Sequence, residues 1–170
     1  MNMRTMGIDA STTATGVAIF EDDKLIYHTT IRPQGANWRD RLFHQAPILD
    51  EIVEKYHPEK ACVEDVPLKA SGGLKTLVIL GAVQGMVYTT LASHGVEAIF
   101  YSPTNWRSSL GLFDGTNEGK KRDVLKEKAV KYANNKFGLN LGWFGPNSKK
   151  SEDDEAEAIL IAYSYIKSKK

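Results

Sequence analysis

The sequence has a single cysteine, Cys62, so no disulfide can form within the chain. Its 4 histidines stand far apart, and no Cys/His group has the spacing of a zinc site. The formal net charge is only +1, which excludes a chain that is polyanionic or polycationic throughout. The N-terminus lacks a secretory pattern, because Asp9 interrupts the first apolar run. Together these absences favour a protein of a reducing cytoplasm.

Long hydrophobic runs are also scarce. One uncharged stretch extends from Thr76 to Ser93, but Gln84, two glycines and several hydroxyl side chains dilute it. A membrane-spanning helix needs about 20 predominantly apolar residues, so this stretch favours a core or interface helix, and we expect no membrane contact. Gly81 and Gly85 lie four residues apart, a spacing that lets another helix approach closely.

The chain has 170 residues and is most simply one domain over residues 1–170. Short β-prone runs predict five strands, over residues 3–10, 15–20, 24–31, 61–66 and 96–101. Helical periodicity and end signals predict four longer helices, over residues 38–56, 71–94, 118–137 and 151–167. Ser71 would be the N-cap of the second helix, and Pro103 would begin a further short one. This order predicts an α/β fold with a mixed five-stranded sheet flanked by helices.

Acidic side chains occur where strands end and where the last helix begins. Asp9 lies on the first strand and Glu64 at the end of a buried one. Asp154 and Glu157 are three residues apart and share one helix face, and Asp153 competes for the same role. Carboxylates are costly inside a sheet unless they are paired or bind metal, and oxygen ligands favour magnesium or manganese. The set predicts a site where two such ions would promote phosphodiester cleavage.

Each acid taken alone has a structural explanation. Asp9 could cap a turn, and Glu64 could lie at the surface with Asp65 on the opposite side of the strand. Ser151 and Asp154 have the spacing of a capping box, and acids in a first turn complement the helix dipole. The metal site is favoured by the combination of two strand acids and a helix pair.

Three segments are similar to a known family: GIDASTTATGVAIF, ACVEDVPLKASGGLKTLVILGAVQG and SEDDEAEAILIA. They resemble, in order and spacing, the motifs of the RuvC family of Holliday-junction resolvases, in the ribonuclease H-like superfamily. The resemblance implies an endonuclease that resolves Holliday junctions and other branched DNA by paired phosphodiester hydrolysis. It further implies Mg²⁺, with Mn²⁺ as a substitute, two ions per site and a homodimer. The small size of the chain and its divergent motifs look most like phage-encoded members, which would act in the host cytoplasm. A branch-migration motor is not identified.

The resemblance assigns the acids residue by residue. Asp9 and Glu64 match the first two catalytic acids, and Asp154 and Glu157 match the last two. Glu157 departs from the usual aspartate and is one methylene longer. Pro67 stands where the well-studied bacterial members have an aromatic residue that engages junction bases, so the preference among branches stays open.

A basic stretch follows the acids of the strands: residues 107–150 carry 10 basic and 4 acidic side chains. The resemblance matches Arg107 and Lys121 to two lysines near the scissile phosphate, which makes Lys121 a catalytic candidate. We expect Arg107, Lys120, Lys121 and Arg122 to contact DNA phosphates, which supply most non-specific affinity. The later lysines, from Lys126 to Lys136, are compatible with DNA or with solvent.

Three aromatic residues flank this basic stretch: Trp106, Trp143 and Phe144. Such side chains can stack on unpaired bases at a branch, but they are more often core anchors, which we expect for Trp106. Cys62 is expected to be an inert buried thiol.

Two other functions compete. GIDASTTATGVAIF also resembles the phosphate-binding hairpin of sugar kinases and actin-like ATPases, but those proteins need a second domain and a second phosphate loop. A protein that binds branched DNA without cutting it is the other alternative. It is disfavoured because all four acidic positions carry carboxylates.

Overall fold

The computed structural model describes residues 2–66 and 72–170. In this part of the chain the strands are β1 (Arg4–Asp9), β2 (Thr15–Glu21), β3 (Lys24–Ile31), β4 (Lys60–Glu64) and β5 (Glu97–Tyr101). The α-helices are α1 (Trp38–Tyr56), α2 (Gly73–Ser93), α3 (Pro103–Ser109), α4 (Arg122–Phe137) and α5 (Asp153–Ser168). A short 3-10 helix over Glu118–Lys120 precedes α4.

The strands form one mixed sheet in the order β3-β2-β1-β4-β5. β2 is antiparallel to both β1 and β3, whereas β4 runs parallel to both β1 and β5. The predicted mixed five-stranded α/β fold is therefore confirmed. Because β1 and β4 are parallel neighbours and Ile8 pairs with Val63, their carboxyl ends meet at one edge of the sheet.

The two faces of the sheet pack against different helices. Met6, Ile8 and Val17 form one buried cluster with α1 and α2, and Ala18 and Cys62 lie in a second cluster with α3, α4 and α5. Successive strand side chains point to opposite faces, so the same strands supply both clusters. Cys62 is fully buried, and this burial raises the pKa of its thiol to about 12, in agreement with the expected inert thiol.

The first long helix has the predicted ends. Asn37 caps α1, because its side chain accepts hydrogen bonds from the backbone N–H groups of Arg39 and Asp40. His57 ends the helix in a left-handed conformation, with φ 45°. The predicted N-cap of α2, Ser71, lies outside the described residues, as does Pro67.

The last two long helices begin later than predicted. Lys121 is extended, with φ −63° and ψ 142°, and this separates the 3-10 helix from α4. α5 begins at Asp153, two residues after the predicted Ser151. Ser151 does not act as the expected cap, because its hydroxyl donates to the Gly145 carbonyl oxygen and accepts from the Phe144 N–H.

Candidate active site

α5 lies directly against β1 and β2 because two strand positions are glycine. A Cβ added at Gly7 would lie 2.0 Å from the carbonyl oxygen of Ala158, and one at Gly16 would lie 1.8 Å from that of Asp154. No other residue fits at these distances. Gly16 pairs with Asp9 across the β1–β2 ladder, so this contact brings the first turn of α5 to the end of β1.

The start of α5 is also held from β3 and from the chain just after it. The Glu155 carboxylate is bonded to His28 and accepts a hydrogen bond of 3.0 Å from the Thr30 hydroxyl. Arg32 donates to the carbonyl oxygen of Ser151 at 3.1 Å. These bonds fix the first turn of α5 relative to the antiparallel part of the sheet.

This packing gathers three of the predicted acids. One carboxylate oxygen from each of Asp9, Asp154 and Glu157 lies within 4.8 Å of the others. Glu64 ends β4, in the strand next to Asp9, and its charge acts on Asp9. Asp153 instead turns toward α4. The hard oxygen donors, close together and half-buried or buried, fit a small divalent cation.

Crowding and burial change the acidity of these groups. Burial, followed by the charges of Glu64, Glu157 and Asp154, raises the pKa of Asp9 well above its ordinary value. Burial and Glu157 raise the pKa of Glu64 to about 7 against the lowering effect of Arg107, and burial raises that of Asp154 to about 6. Carboxylates arranged in this way repel one another, and a bound cation would relieve the repulsion.

α3 contributes two adjacent residues to the site. The side chain of Arg107 is only 14% exposed, and its Nη2 lies 2.5 Å from Glu157 Oε1 and 4.0 Å from Glu64 Oε2. Trp106 is fully buried, which confirms its expected core position, and its indole N–H donates to Glu64 Oε2 at 2.8 Å. This second role of Trp106 is not predicted from the sequence, because no local signal links it to Glu64.

A lysine from α4 also enters the site. Lys126 is buried, bonded to Asp153, and its Nζ lies 3.6 Å from Asp154 Oδ1. Lys121, in contrast, has a side chain that is 58% exposed and pairs with Glu118 at 2.6 Å. One sequence signal distinguishes Lys126 from the other lysines of this helix: it lies beside Leu125 and Ala129 on the buried face of α4.

The remaining predicted DNA contacts lie at the surface. Lys120, Lys121 and Arg122 are exposed at the start of α4. Of the two aromatic residues near α5, Phe144 is exposed, whereas Trp143 is partly buried against the core.

The outer face of α2 is apolar and uncovered. Among its residues only Val83, Val87 and Leu91 are buried. The opposite side carries a stripe of exposed residues with spacings of three and four, namely Leu74, Val78, Gly81, Gly85 and Tyr88. By length and composition alone α2 is apolar enough to cross a membrane, a test that the core helix of a soluble protein also passes. Its own fold does not require the two stripe glycines, because a Cβ at either would meet nothing within 4 Å.

The sheet order and the acidic edge define a protein of ribonuclease H-like fold. The family model described as crossover junction endodeoxyribonuclease RuvC matches residues 5–130, and the chain belongs to this family. The RuvC of Nitratidesulfovibrio vulgaris strain DP4 is 32% identical over 127 residues, which cover 72% of this chain and 74% of that one. The RuvC of Brachyspira hyodysenteriae is 26% identical over 168 residues, 96% of this chain and 93% of that one.

Solved structures show the same fold. The chain is similar to Thermus thermophilus RuvC in complex with Holliday junction substrate, with a TM-score of 0.73, 18% identity and coverage of 98% of this chain and 95% of that one. It is also similar to the yeast mitochondrial Holliday junction resolvase Ydc2, with a TM-score of 0.55, 16% identity and coverage of 97% and 78%. RuvC-family nucleases depend on a metal ion, and this chain carries an acidic cluster.

Proposed function

We propose that this protein is a metal-dependent endonuclease that resolves Holliday junctions and other branched DNA by paired phosphodiester hydrolysis. The observation that carries the proposal is the convergence of Asp9, Asp154 and Glu157 at one edge of the sheet, with Glu64 beside them, in a chain that belongs to the RuvC family. The nuclease would be a single domain over residues 1–170 and act in the cytoplasm, in that of a bacterial host if the source is a phage.

The four acids would hold the metal. Asp9, Glu64, Asp154 and Glu157 supply hard oxygen donors, which favour Mg²⁺ with Mn²⁺ as a substitute, and a pair of ions is the arrangement we propose. When bound, such ions activate the attacking water and stabilise the leaving oxygen of the phosphodiester. Asp153 would stay outside this set, because its carboxylate is bonded to Lys126.

The neighbouring residues would keep the acids in place. Arg107 contacts Glu157 and lies within 4.0 Å of Glu64, so its guanidinium orients both carboxylates and offsets their charge. Trp106 fixes the rotamer of Glu64 through the indole N–H. The same guanidinium would offset charge on the scissile phosphate as it develops in the transition state.

Exposed basic residues would bind the DNA backbone. Lys120, Lys121 and Arg122 lie at the start of α4, whose helix dipole also favours phosphate. Lys121 points to Glu118 in the free protein, at 2.6 Å, and this exposed pair is weak enough to yield to a phosphate. Lys121 therefore stays our candidate for a lysine that contacts the scissile phosphate.

We further propose that the α2 stripe (Leu74, Val78, Gly81, Gly85 and Tyr88) is the interface of a homodimer. Its spacing is that of one helix seam, and its glycines leave room for the backbone of a second copy. Phe100 extends the apolar surface beside Tyr88. Two copies would present two sites to opposed strands, as paired cleavage requires.

Asp9→Asn tests the nuclease proposal. The isosteric change removes one metal-binding charge, so cleavage of a labelled four-way junction in Mg²⁺ should be lost while junction binding in EDTA persists. Asp65→Asn is the matched control, because Asp65 turns to Gln84 on α2 and should leave cleavage intact.

Cleavage of different DNA substrates, with and without the divalent ion, tests the rest of the proposal. Native protein should nick junctions and forks, not linear duplex, and only with the divalent ion. Junction binding without cleavage by the native protein would mean a non-catalytic binding protein. Cleavage retained by Asp9→Asn would remove Asp9 from the mechanism.

A further inference from the structure

Three lysines of α4 form ion pairs in the described part of the chain, and Lys126 is the least exposed of them. Its side chain is 9% exposed, against 31% for Lys128 and 70% for Lys131, whose partners lie at the surface. A buried ammonium is costly unless carboxylates compensate it, so its location is specified by the acids around it.

Three carboxylates face this ammonium. Lys126 is bonded to Asp153, lies 3.6 Å from Asp154 Oδ1, and feels the charge of Glu157. A buried ammonium is held in its charged form by carboxylates at ion-pair distance, so the side chain places a positive charge at the edge of the acidic cluster.

Asp153 is the other half of this arrangement. It lies next to Asp154 in the chain and is more buried, with a side chain 10% exposed against 25%, and its oxygen faces α4 and not the cluster formed by Asp9, Asp154 and Glu157. The bond from Lys126 holds it in that orientation. Without that bond, a fifth carboxylate would be available beside the proposed ligands.

We propose that Lys126 is an internal cation that sets the affinity of the acidic cluster for its divalent ion. Its charge competes with the ion for Asp154, and its bond to Asp153 keeps that carboxylate from acting as a further ligand. This inference rests on the metal site of the proposed function. It makes Lys126 a positioning residue, because it acts through the two aspartates and not on the DNA.

The size of the effect follows from the distance. An ion bound through Asp154 Oδ1 would lie within roughly 6 Å of Nζ, because 3.6 Å separates the two atoms and magnesium–oxygen bonds are about 2.1 Å. Even with the dielectric constant of water, a unit charge at that distance changes the affinity for a divalent ion about ten-fold. Lys126→Met should therefore bind Mn²⁺ at least about ten-fold more tightly than the native protein.

Calorimetric titration of Mn²⁺ into the metal-free protein, with no DNA present, tests this with four variants. Asp153→Asn frees Lys126 to approach Asp154 and should weaken binding about ten-fold by the same reasoning. Lys126→Met with Asp153→Asn removes one charge of each sign and should return the affinity to within about three-fold of native. Lys126→Arg keeps the charge and should also stay within about three-fold.

Thermal unfolding in EDTA separates folding from binding. Lys126→Met leaves Asp153 buried without a partner and should melt lower than native, while the double variant, with a neutral pair, remains folded and carries the comparison. Lys131→Met, from an exposed position of the same helix, is the control and should bind Mn²⁺ as the native protein does.

The outcomes are distinct. Native-like affinity of both Lys126→Met and Asp153→Asn would show an ion pair that only stabilises α4 against α5, and would overturn this inference alone. Undiminished Mn²⁺ binding by Asp9→Asn would overturn the proposed metal site and this inference with it.

Discussion

Removal of the Glu64 charge should stabilise the metal-free protein at neutral and alkaline pH. Burial and the charge of Glu157 raise the pKa of Glu64 from 4.5 to about 7, and its side chain is only 20% exposed. One pKa unit corresponds to about 1.4 kcal/mol, so the ionised carboxylate costs the folded state about 3 kcal/mol. Glu64→Gln removes this cost and keeps an oxygen that accepts the hydrogen bond from Trp106.

The sign of the pH dependence follows from proton binding. The folded state holds the Glu64 proton to a higher pH than the unfolded chain does, so the free energy of unfolding falls as pH rises between 4.5 and about 7. The cost is absent below this window and complete above it. The variant lacks this contribution, and its advantage over native should grow across the window to a Tm difference of about 6–12 °C.

Thermal unfolding in EDTA at a series of pH values measures the difference. Glu51→Gln, an exposed glutamate on α1, serves as the control and should follow the native curve at every pH. Addition of Mg²⁺ should stabilise the native protein more than Glu64→Gln. Parallel native and Glu64→Gln curves across the window would refute the reasoning, because the raised pKa would then not act on stability.

Three further predictions concern packing, DNA and assembly. Gly16→Ala should displace the start of α5, because its Cβ would lie 1.8 Å from the Asp154 carbonyl oxygen; calorimetry should show lost Mn²⁺ binding, and native affinity would contradict this. Lys120→Ala with Lys121→Ala should reduce the salt slope of junction binding by about two if each lysine contacts one phosphate, whereas an unchanged slope would mean that both face solvent. Gly85→Leu should give a monomer by light scattering and Gly85→Ala a dimer, since only the larger side chain blocks a close helix seam; dimers from both would exclude this part of α2 from the interface.

The fold was predictable because its signals are local. Short β-prone runs and the helical spacing of apolar residues over 38–56 act within a few residues. The predicted starts of the last two long helices were wrong, because a residue at each start has contacts or a backbone conformation outside the helix. Ser151 bonds to the Gly145–Phe144 turn and not to its own helix, and Lys121 is extended although it sits in a helical pattern.

The candidate site was predictable to a smaller degree. Asp9, Glu64, Asp154 and Glu157 stood out as acids at the ends of elements, and the family resemblance assigned them a common role. The contribution of Lys126 was not predicted: its position on the apolar face of α4 indicates burial, but nothing in the sequence shows that acids of α5 surround it.

The sequence by itself determined the order of the elements, the mixed sheet and the set of acids, since these depend on periodicity and residue type. Only the tertiary structure decided which of those acids join the cluster with Asp9 and which pair with a lysine instead. Asp153 and Asp154 are chemically identical neighbours, and only the contact of Gly16 with the first turn of α5 and the bond from Lys126 give them different surroundings. Burial then decides their charge, because desolvation depends on what surrounds a carboxylate in space and not on its place in the chain.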